Sequence, residues 1–154
     1  MKVLYMRWLL VLTMVMYPNV LLYAAESNRF IKKIALPSGQ TVVITEGDFE
    51  ARSIGSFSVR LYDAAPPADM TTFFTSGLIR SRNGTIEKIE LVDVDANQGP
   101  EIIVFVRSAG TGGYLSAHAF SFDERNLVFR AAVEDLPPEF DPVVDLRKTI
   151  GQLK

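Results

Sequence analysis

The chain has 154 residues, the length of one domain, with 16 Lys and Arg against 18 Asp and Glu. It contains no cysteine and one histidine, His118, which excludes disulfide scaffolds, cysteine nucleophiles and zinc sites built from several histidines. The small excess of acidic residues also argues against a nucleic-acid-binding surface, which needs clustered Lys and Arg.

The N-terminal segment predicts an export signal. Two basic residues precede an apolar run at residues 8–17, and small residues follow at Ala24 and Ala25. The run is interrupted before it is long enough to span a bilayer, and no cysteine follows that could carry a lipid. We therefore expect residues 1–25 to be a signal peptide that is removed. Residues 26–154 should form one free periplasmic domain without a membrane anchor.

The rest of the chain reads as short β-type segments separated by turn residues. The predicted strands are, in chain order, residues 29–36, 40–46, 56–62, 72–81, 85–92, 102–106, 114–122 and 126–133. Asn83-Gly84 predicts a hairpin between the fourth and fifth of them, because Asn-Gly favours the positive φ of a tight turn. The sixth is apolar on both faces, which predicts a central strand covered from two sides. The sequence therefore predicts an all-β fold, an antiparallel β-sandwich or flattened barrel of about eight strands.

The C-terminal segment has a different pattern. Asp141 followed by Pro142 is a good helix start, with aspartate as the N-cap and proline at the first helical position. Apolar residues then recur at helical spacing and form one stripe, at Val143, Leu146, Ile150 and Leu153. We expect a short C-terminal helix or tail that covers a sheet edge or frays, and a dimer contact is the alternative.

The most unusual segment is residues 108–114, here called the glycine loop, between the sixth and seventh predicted strands. Its three glycines surround one threonine, so another molecule can approach the backbone closely. Its serine, threonine and tyrosine hydroxyls donate and accept hydrogen bonds. The candidate contact residues are Ser108, Gly110, Thr111, Gly112, Gly113 and Tyr114. The alternative is a flexible hairpin tip in which the glycines serve only the turn.

A second candidate lies at residues 93–101, where oxygen-bearing side chains imitate the start of a calcium loop. These side chains belong to Asp93, Asp95, Asn97 and Glu101. The required glycine is displaced, and the glutamate comes too early for a calcium loop. The departure favours a turn whose side chains accept hydrogen bonds from loop amides. An exported calcium- or ligand-binding β-module that uses these residues is the alternative function.

Catalytic chemistry has little support in the sequence. His118 shares a strand face with Ser116, but a Ser–His pair at such positions has neither an elbow nor an oxyanion hole, so a buried structural histidine is favoured. A glycosidase would need only two carboxylates, yet residues 26–154 contain no tryptophan for sugar stacking. We expect neither an enzyme nor a bound cofactor.

At the glycine loop the chain resembles a known family, the bacterial periplasmic inhibitors of invertebrate-type (I-type) lysozyme. The resemblance covers the whole mature chain and includes export, the absence of cysteine and the β-pattern. Inhibitors of this kind carry a short Ser-Gly-x-x-Tyr-like loop that enters the lysozyme cleft. Here Ser108 is followed by Ala109, whereas residues 111–114 give a second register in which Thr111 replaces serine. Tyr114 closes the motif in either register.

The resemblance implies a periplasmic lysozyme inhibitor, homodimeric, whose partner is I-type lysozyme. A lysozyme cleft presents a general-acid carboxyl group in a groove shaped for sugar. Hydroxyl and backbone N–H donors on a thin loop can bond to such carboxyl groups, and hydrogen bonds to charged acceptors are the stronger kind. Blocking the cleft needs no catalytic residue, which agrees with the shortage of catalytic groups. The sequence leaves open whether Ser108 or Thr111 supplies the hydroxyl.

Overall fold

The computed structural model describes residues 29–97 and 99–153. Eight strands and one helix are formed there: β1 Ile31–Ala35, β2 Thr41–Glu46, β3 Ile54–Tyr62, β4 Phe74–Asn83, β5 Thr85–Val92, β6 Glu101–Arg107, β7 Leu115–Phe122, β8 Leu127–Leu136 and α1 Pro142–Gln152. The predicted signal peptide, residues 1–25, lies outside the described residues. Within those residues, no helix is both long and apolar enough to cross a membrane.

The strands form two four-stranded antiparallel sheets, with the orders β1-β2-β3-β4 and β5-β6-β7-β8. The period-two pattern of β3 explains how they pack, because Phe57, Val59 and Leu61 all point into the interior and are fully buried. Phe120 meets Phe57 from the opposite sheet, with ring centroids 6.2 Å apart in an edge-to-face arrangement. The prediction of an all-β antiparallel fold is confirmed, and the two separate sheets make it a sandwich.

Strand β6 is buried on both faces, as its unbroken apolar run predicts. Ile102, Val104 and Val106 belong to the core between the sheets. Ile103 and Phe105 point the other way, into a second apolar cluster on the outer face of the β5–β8 sheet. A strand with this pattern is stable only when both of its faces are covered.

Helix α1 provides that second cover. Asp141 accepts a hydrogen bond from the Val143 N–H at 2.9 Å, which is the predicted N-cap. Leu146 and Ile150 are buried against the sheet, whereas Leu153 is 70% exposed, so the packed stripe ends before it. The helix was predicted to cover a sheet edge. It covers a sheet face instead, because it packs over β8 and β7 and buries Leu146 and Ile150 in the apolar cluster that contains Ile103 and Phe105.

The hairpin predicted at Asn83-Gly84 is wrong. Strands β4 and β5 lie in different sheets, so the chain passes from one sheet to the other at Gly84. Gly84 does have a positive φ, 128°, and a Cβ there would overlap the carbonyl group of Arg107. The buried Arg82 side chain fixes this corner, since its Nε donates to the Ser56 carbonyl at 3.0 Å. Asn83-Gly84 therefore predicted the positive φ of Gly84 correctly, but it did not predict that the chain leaves the sheet there.

Candidate functional site

The glycine loop joins β6 to β7 at one end of the sandwich, as predicted. Its base is closed by a hydrogen bond of 2.9 Å from the Ser108 N–H to the Tyr114 carbonyl. Near its tip, the Gly113 N–H points to the Gly110 carbonyl at 3.5 Å, at the long limit for a hydrogen bond. The loop is therefore a narrow projection whose base is closed by a normal hydrogen bond and whose tip is held by a long, weak one.

The three glycines of the loop differ in what they do. Gly113 has a φ of 60°, a conformation that side chains with a Cβ rarely adopt. A Cβ on Gly112 would overlap the ring of Tyr114, so the absence of a side chain at Gly112 lets that ring lie against the backbone. A Cβ on Gly110 would meet nothing within 4 Å. Gly112 and Gly113 thus shape the loop, whereas the structure of the free protein makes no demand for glycine at position 110.

The hydroxyl groups of the loop are not equally accessible. The Ser108 Oγ is buried and has no hydrogen-bond partner. Thr111 is exposed at the tip, and Tyr114 is 43% exposed beside it. A molecule that approaches the tip therefore meets Thr111 and Tyr114 first, and would reach the Ser108 hydroxyl only after that side chain turned.

Arg107, the last residue of β6, was not among the residues that the sequence singled out, yet it contacts the loop. Its Nη1 donates to the Gly113 carbonyl at 2.7 Å, and its Nη2 donates to the Glu87 Oε1 at 3.0 Å. The Arg107 Nε donates to the other Glu87 oxygen, and this hydrogen bonding lowers the pKa of the Glu87 carboxyl. Glu87 stands at a β-bulge, where the pairing of β5 with β6 shifts by one residue. The sequence carries no sign of that bulge, and so the pairing could not be foreseen.

His118 is buried, as predicted, and lies between the sheets near the same end. Its ring meets Phe57 edge-on with centroids 5.2 Å apart, and its Nδ1 has no hydrogen-bond partner. Ser116 Oγ instead accepts a hydrogen bond of 3.1 Å from the Asp135 N–H. Burial, with a smaller contribution from the Arg80 charge, lowers the pKa of His118 to about 4. The side chain is therefore a neutral core residue at pH 7, not one member of a Ser–His pair.

The acidic turn brings its three carboxylates together. Carboxylate oxygens of Asp93, Asp95 and Glu101 lie within 4.8 Å of one another. These side chains also accept hydrogen bonds from loop amides, as the turn interpretation predicts. Asp93 Oδ1 accepts from Ala96 N–H at 2.8 Å, and buried Glu101 Oε2 accepts from Val94 N–H at 2.9 Å.

The charges around this turn act on a cation in opposite directions, because Arg130 repels it whereas the mutual repulsion of the carboxylates would be relieved by it. Arg130 Nη2 stands 3.6 Å from Asp95 Oδ2, so one carboxylate already has a cationic neighbour. Burial raises the pKa of the Glu101 carboxyl, and the nearby Asp95 and Asp93 raise it further. Asn97 Oδ1 accepts from Gly99 N–H at 2.8 Å and so belongs to the turn as well. The arrangement is that of a self-bonded turn.

Comparison with known proteins identifies one family. The model of the family described as periplasmic lysozyme inhibitor of I-type lysozyme matches residues 28–150. A crystal structure of the inhibitor from Aeromonas hydrophila is 42% identical, with a TM-score of 0.73, over 76% of this chain and 98% of that one. A second structure, the Aeromonas hydrophila inhibitor in complex with Meretrix lusoria lysozyme, is also 42% identical, with a TM-score of 0.72, over 77% and 95% of the two chains. No curated protein matches the chain.

Proposed function

The chain belongs to the family of periplasmic inhibitors of I-type lysozyme, and we propose that it inhibits by inserting the glycine loop into the lysozyme active-site cleft. As a member of this family it is an inhibitor and not an enzyme, and its place of action is the periplasm, where it protects the peptidoglycan. The observation that carries the proposal is the shape of the loop. Residues 108–114 carry no charged side chain and project from the end of the sandwich.

The loop offers chemistry that suits a cleft built to bind sugar beside carboxyl groups. Its exposed tip combines a hydroxyl at Thr111, backbone N–H groups of glycine and the flat face of Tyr114. Hydroxyl and N–H groups donate to carboxylates, and such charge-assisted hydrogen bonds are stronger than neutral ones. The ring of Tyr114 can fill space that a sugar would occupy. A loop without charge avoids the cost of burying an unpaired ion in the cleft.

Accessibility favours Thr111 over Ser108 as the residue that supplies the hydroxyl. The Ser108 Oγ is buried in the free protein, whereas the Thr111 side chain is exposed at the tip. The register of residues 111–114 then places Thr111 and Tyr114 on either side of the two glycines that shape the loop. We assign Ser108 to the base of the loop, where its N–H bonds to the Tyr114 carbonyl.

Alanine substitution at the tip tests the proposal. We expect Tyr114→Ala and Thr111→Ala each to raise the inhibition constant for I-type lysozyme, by about 30-fold for Tyr114, which corresponds to about 2 kcal/mol for an interface anchor. Ser108→Ala should change inhibition by less than about threefold, since its hydroxyl is not presented. Melting temperatures should stay close to wild type, because both tip side chains are exposed.

The control is Val144→Ala, which shortens a similarly exposed side chain on helix α1, and it should inhibit like wild type. If both tip variants inhibit as well as wild type, the loop is not the contact and the proposal fails. If Ser108→Ala weakens inhibition more than Thr111→Ala, the hydroxyl role belongs to Ser108 and the assignment of register is wrong.

We also propose that residues 1–25 are the export signal and residues 26–154 the mature inhibitor. The support is the order of basic, apolar and small residues at the start of the chain. After expression in a Gram-negative host, N-terminal sequencing of the periplasmic protein should begin at residue 25 or 26, and the protein should be recovered without detergent. A protein that keeps residues 1–25 and stays with the membrane would contradict this.

The dimer is the remaining part of the proposal, and the outer face of the β1–β4 sheet is its best-supported surface. Helix α1 covers the other sheet, whereas Ile31 and Ile79 are 72% and 75% exposed on this one. They share one cross-strand row with Thr45 and Ser58, so the apolar groups border a small polar centre. Sedimentation velocity should give a dimer for wild type and a monomer for Ile79→Glu. A wild-type monomer at micromolar concentration would contradict the proposal.

A further inference from the structure

Resting on the proposed function, we infer that Arg107 is a positioning residue, held in turn by Glu87, that keeps the glycine loop in its binding conformation. Arg107 lies at the point where β6 becomes the loop, and its guanidinium group has two partners. Its Nε and Nη2 donate to the two carboxylate oxygens of Glu87 on β5, and its Nη1 donates to the Gly113 carbonyl at 2.7 Å. The guanidinium group thus ties the far side of the loop to the sheet.

The loop depends on this contact with Arg107 because it has few hydrogen bonds of its own. Within the loop, the Ser108–Tyr114 hydrogen bond closes the base, while the Gly113–Gly110 contact near the tip is 3.5 Å long. Three glycines give this segment a large conformational freedom, which must be lost when the loop enters a partner. A loop already held in its bound conformation loses less entropy on binding and therefore binds more tightly.

The geometry also explains why the hydrogen bond from Arg107 goes to Gly113. This residue has a φ of 60° and its carbonyl accepts from Arg107, while the Arg107 Nη1 lies 3.6 Å from where a Gly113 Cβ would be. Glu87 fixes the guanidinium group through two parallel hydrogen bonds, an arrangement that a lysine could not reproduce. The bulge in β5 at Glu87 brings that carboxylate within reach of Arg107.

The two partners allow a test with opposite charge changes. Arg107→Met should raise the inhibition constant about tenfold, and Glu87→Gln should raise it about threefold, because a neutral amide holds the fork less firmly. Long-range attraction between the inhibitor and lysozyme would instead shift the two variants in opposite directions. A direct contact of Arg107 with lysozyme would leave Glu87→Gln as good an inhibitor as wild type. Either pattern would overturn the inference.

Two further measurements separate positioning from a general structural role. In the free inhibitor, amide hydrogen exchange at Ser108 and Gly113 should be faster in both variants, while the melting temperature changes little. The double variant should inhibit no worse than Arg107→Met alone, since Glu87 acts through Arg107. Arg107→Lys should inhibit nearly as weakly as Arg107→Met, and a lysine variant that inhibits like wild type would show that only the charge of Arg107 matters. Unchanged exchange at Gly113 would equally contradict the inference.

Arg125→Met is the matched control. Arg125 lies at the opposite end of the sandwich, in the β7–β8 turn, and pairs with Asp63 at 3.5 Å. The substitution removes the same charge and should leave both inhibition and loop exchange unchanged. Tyr114→Ala belongs in the same series. If it weakens inhibition while Arg107→Met does not, the positioning role is refuted and the inhibitory loop stands; if neither does, both are refuted.

Discussion

The buried histidine predicts a measurable acid sensitivity of the fold. His118 has a pKa of about 4 in the folded protein, against 6.5 for an ordinary histidine. A lowered pKa means that the folded state holds the neutral ring and the unfolded state takes up the proton first. Its contribution to stability is therefore complete above pH 6.5, and it is lost as the pH falls toward 4.

The size of the effect follows from the two pKa values. For a shift of this size, linkage gives a loss of about 2 kcal/mol between pH 7.5 and pH 5, and about 3 kcal/mol once both states are protonated. The loss is a substantial part of the stability of a small domain. Other charged groups face the ring or line the cleft beside it, namely Arg80 on β4, Arg82 at the sheet corner, and Glu134 and Asp135 on β8.

Urea unfolding followed by far-ultraviolet circular dichroism measures this loss, with His118→Asn as the reference that cannot titrate. We expect the free energy of unfolding of wild type to fall by about 2 kcal/mol more than that of His118→Asn between pH 7.5 and pH 5. Should the asparagine variant fold poorly, His118→Phe serves as the second reference. Parallel pH dependences in wild type and the reference would refute the reasoning, since the ring would then titrate equally in both states.

Three further predictions follow from the loop, the acidic turn and the helix. Gly112→Ala should weaken inhibition at least about tenfold by displacing the Tyr114 ring, whereas Gly110→Ala, whose Cβ meets open space, should leave the free loop unchanged. Inhibition constants and hydrogen exchange of the loop amides check both variants. If both variants inhibit like wild type, the glycines do not shape the loop for binding. Millimolar calcium or a chelator should not move the melting temperature, because the carboxylates at residues 93–101 are already bonded to loop amides; a rise with calcium would favour the metal-binding module. Leu146→Ala should cost about 2–5 kcal/mol of stability, measured by urea unfolding, without altering inhibition by the folded protein, and a smaller loss would mean that α1 packs loosely.

How far the sequence predicted the fold depended on whether the signal was local. The unbroken apolar run of β6 required cover on two sides, and Asp141-Pro142 marked the start of the helix that provides it. Both signals lie within a few residues of the feature that they predict. The connection at Gly84 is different, because whether its strands pair depends on Arg82 and on contacts from distant segments.

In the candidate site, too, the local features could be predicted from the sequence and the contacts between distant residues could not. Glycine content and the Thr111–Tyr114 spacing located the loop from the sequence alone. The contact of Arg107 with Gly113 and Glu87 could not be predicted, because it arises from a bulge that pairing with β6 creates and that leaves no mark in the residue pattern. The different accessibilities of the Ser108 and Thr111 hydroxyls also depend on three-dimensional packing, which residue spacing does not describe.

Competition kinetics test the central claim, that the glycine loop occupies the catalytic cleft. The purified mature protein should inhibit an I-type lysozyme competitively, so that its apparent inhibition constant rises linearly, from its value without sugar, with the concentration of a soluble sugar oligomer that fills the cleft. Tyr114→Ala should show the same competitive pattern with a weaker constant. An apparent inhibition constant independent of the oligomer concentration would show that inhibitor and sugar bind together, and would contradict the account.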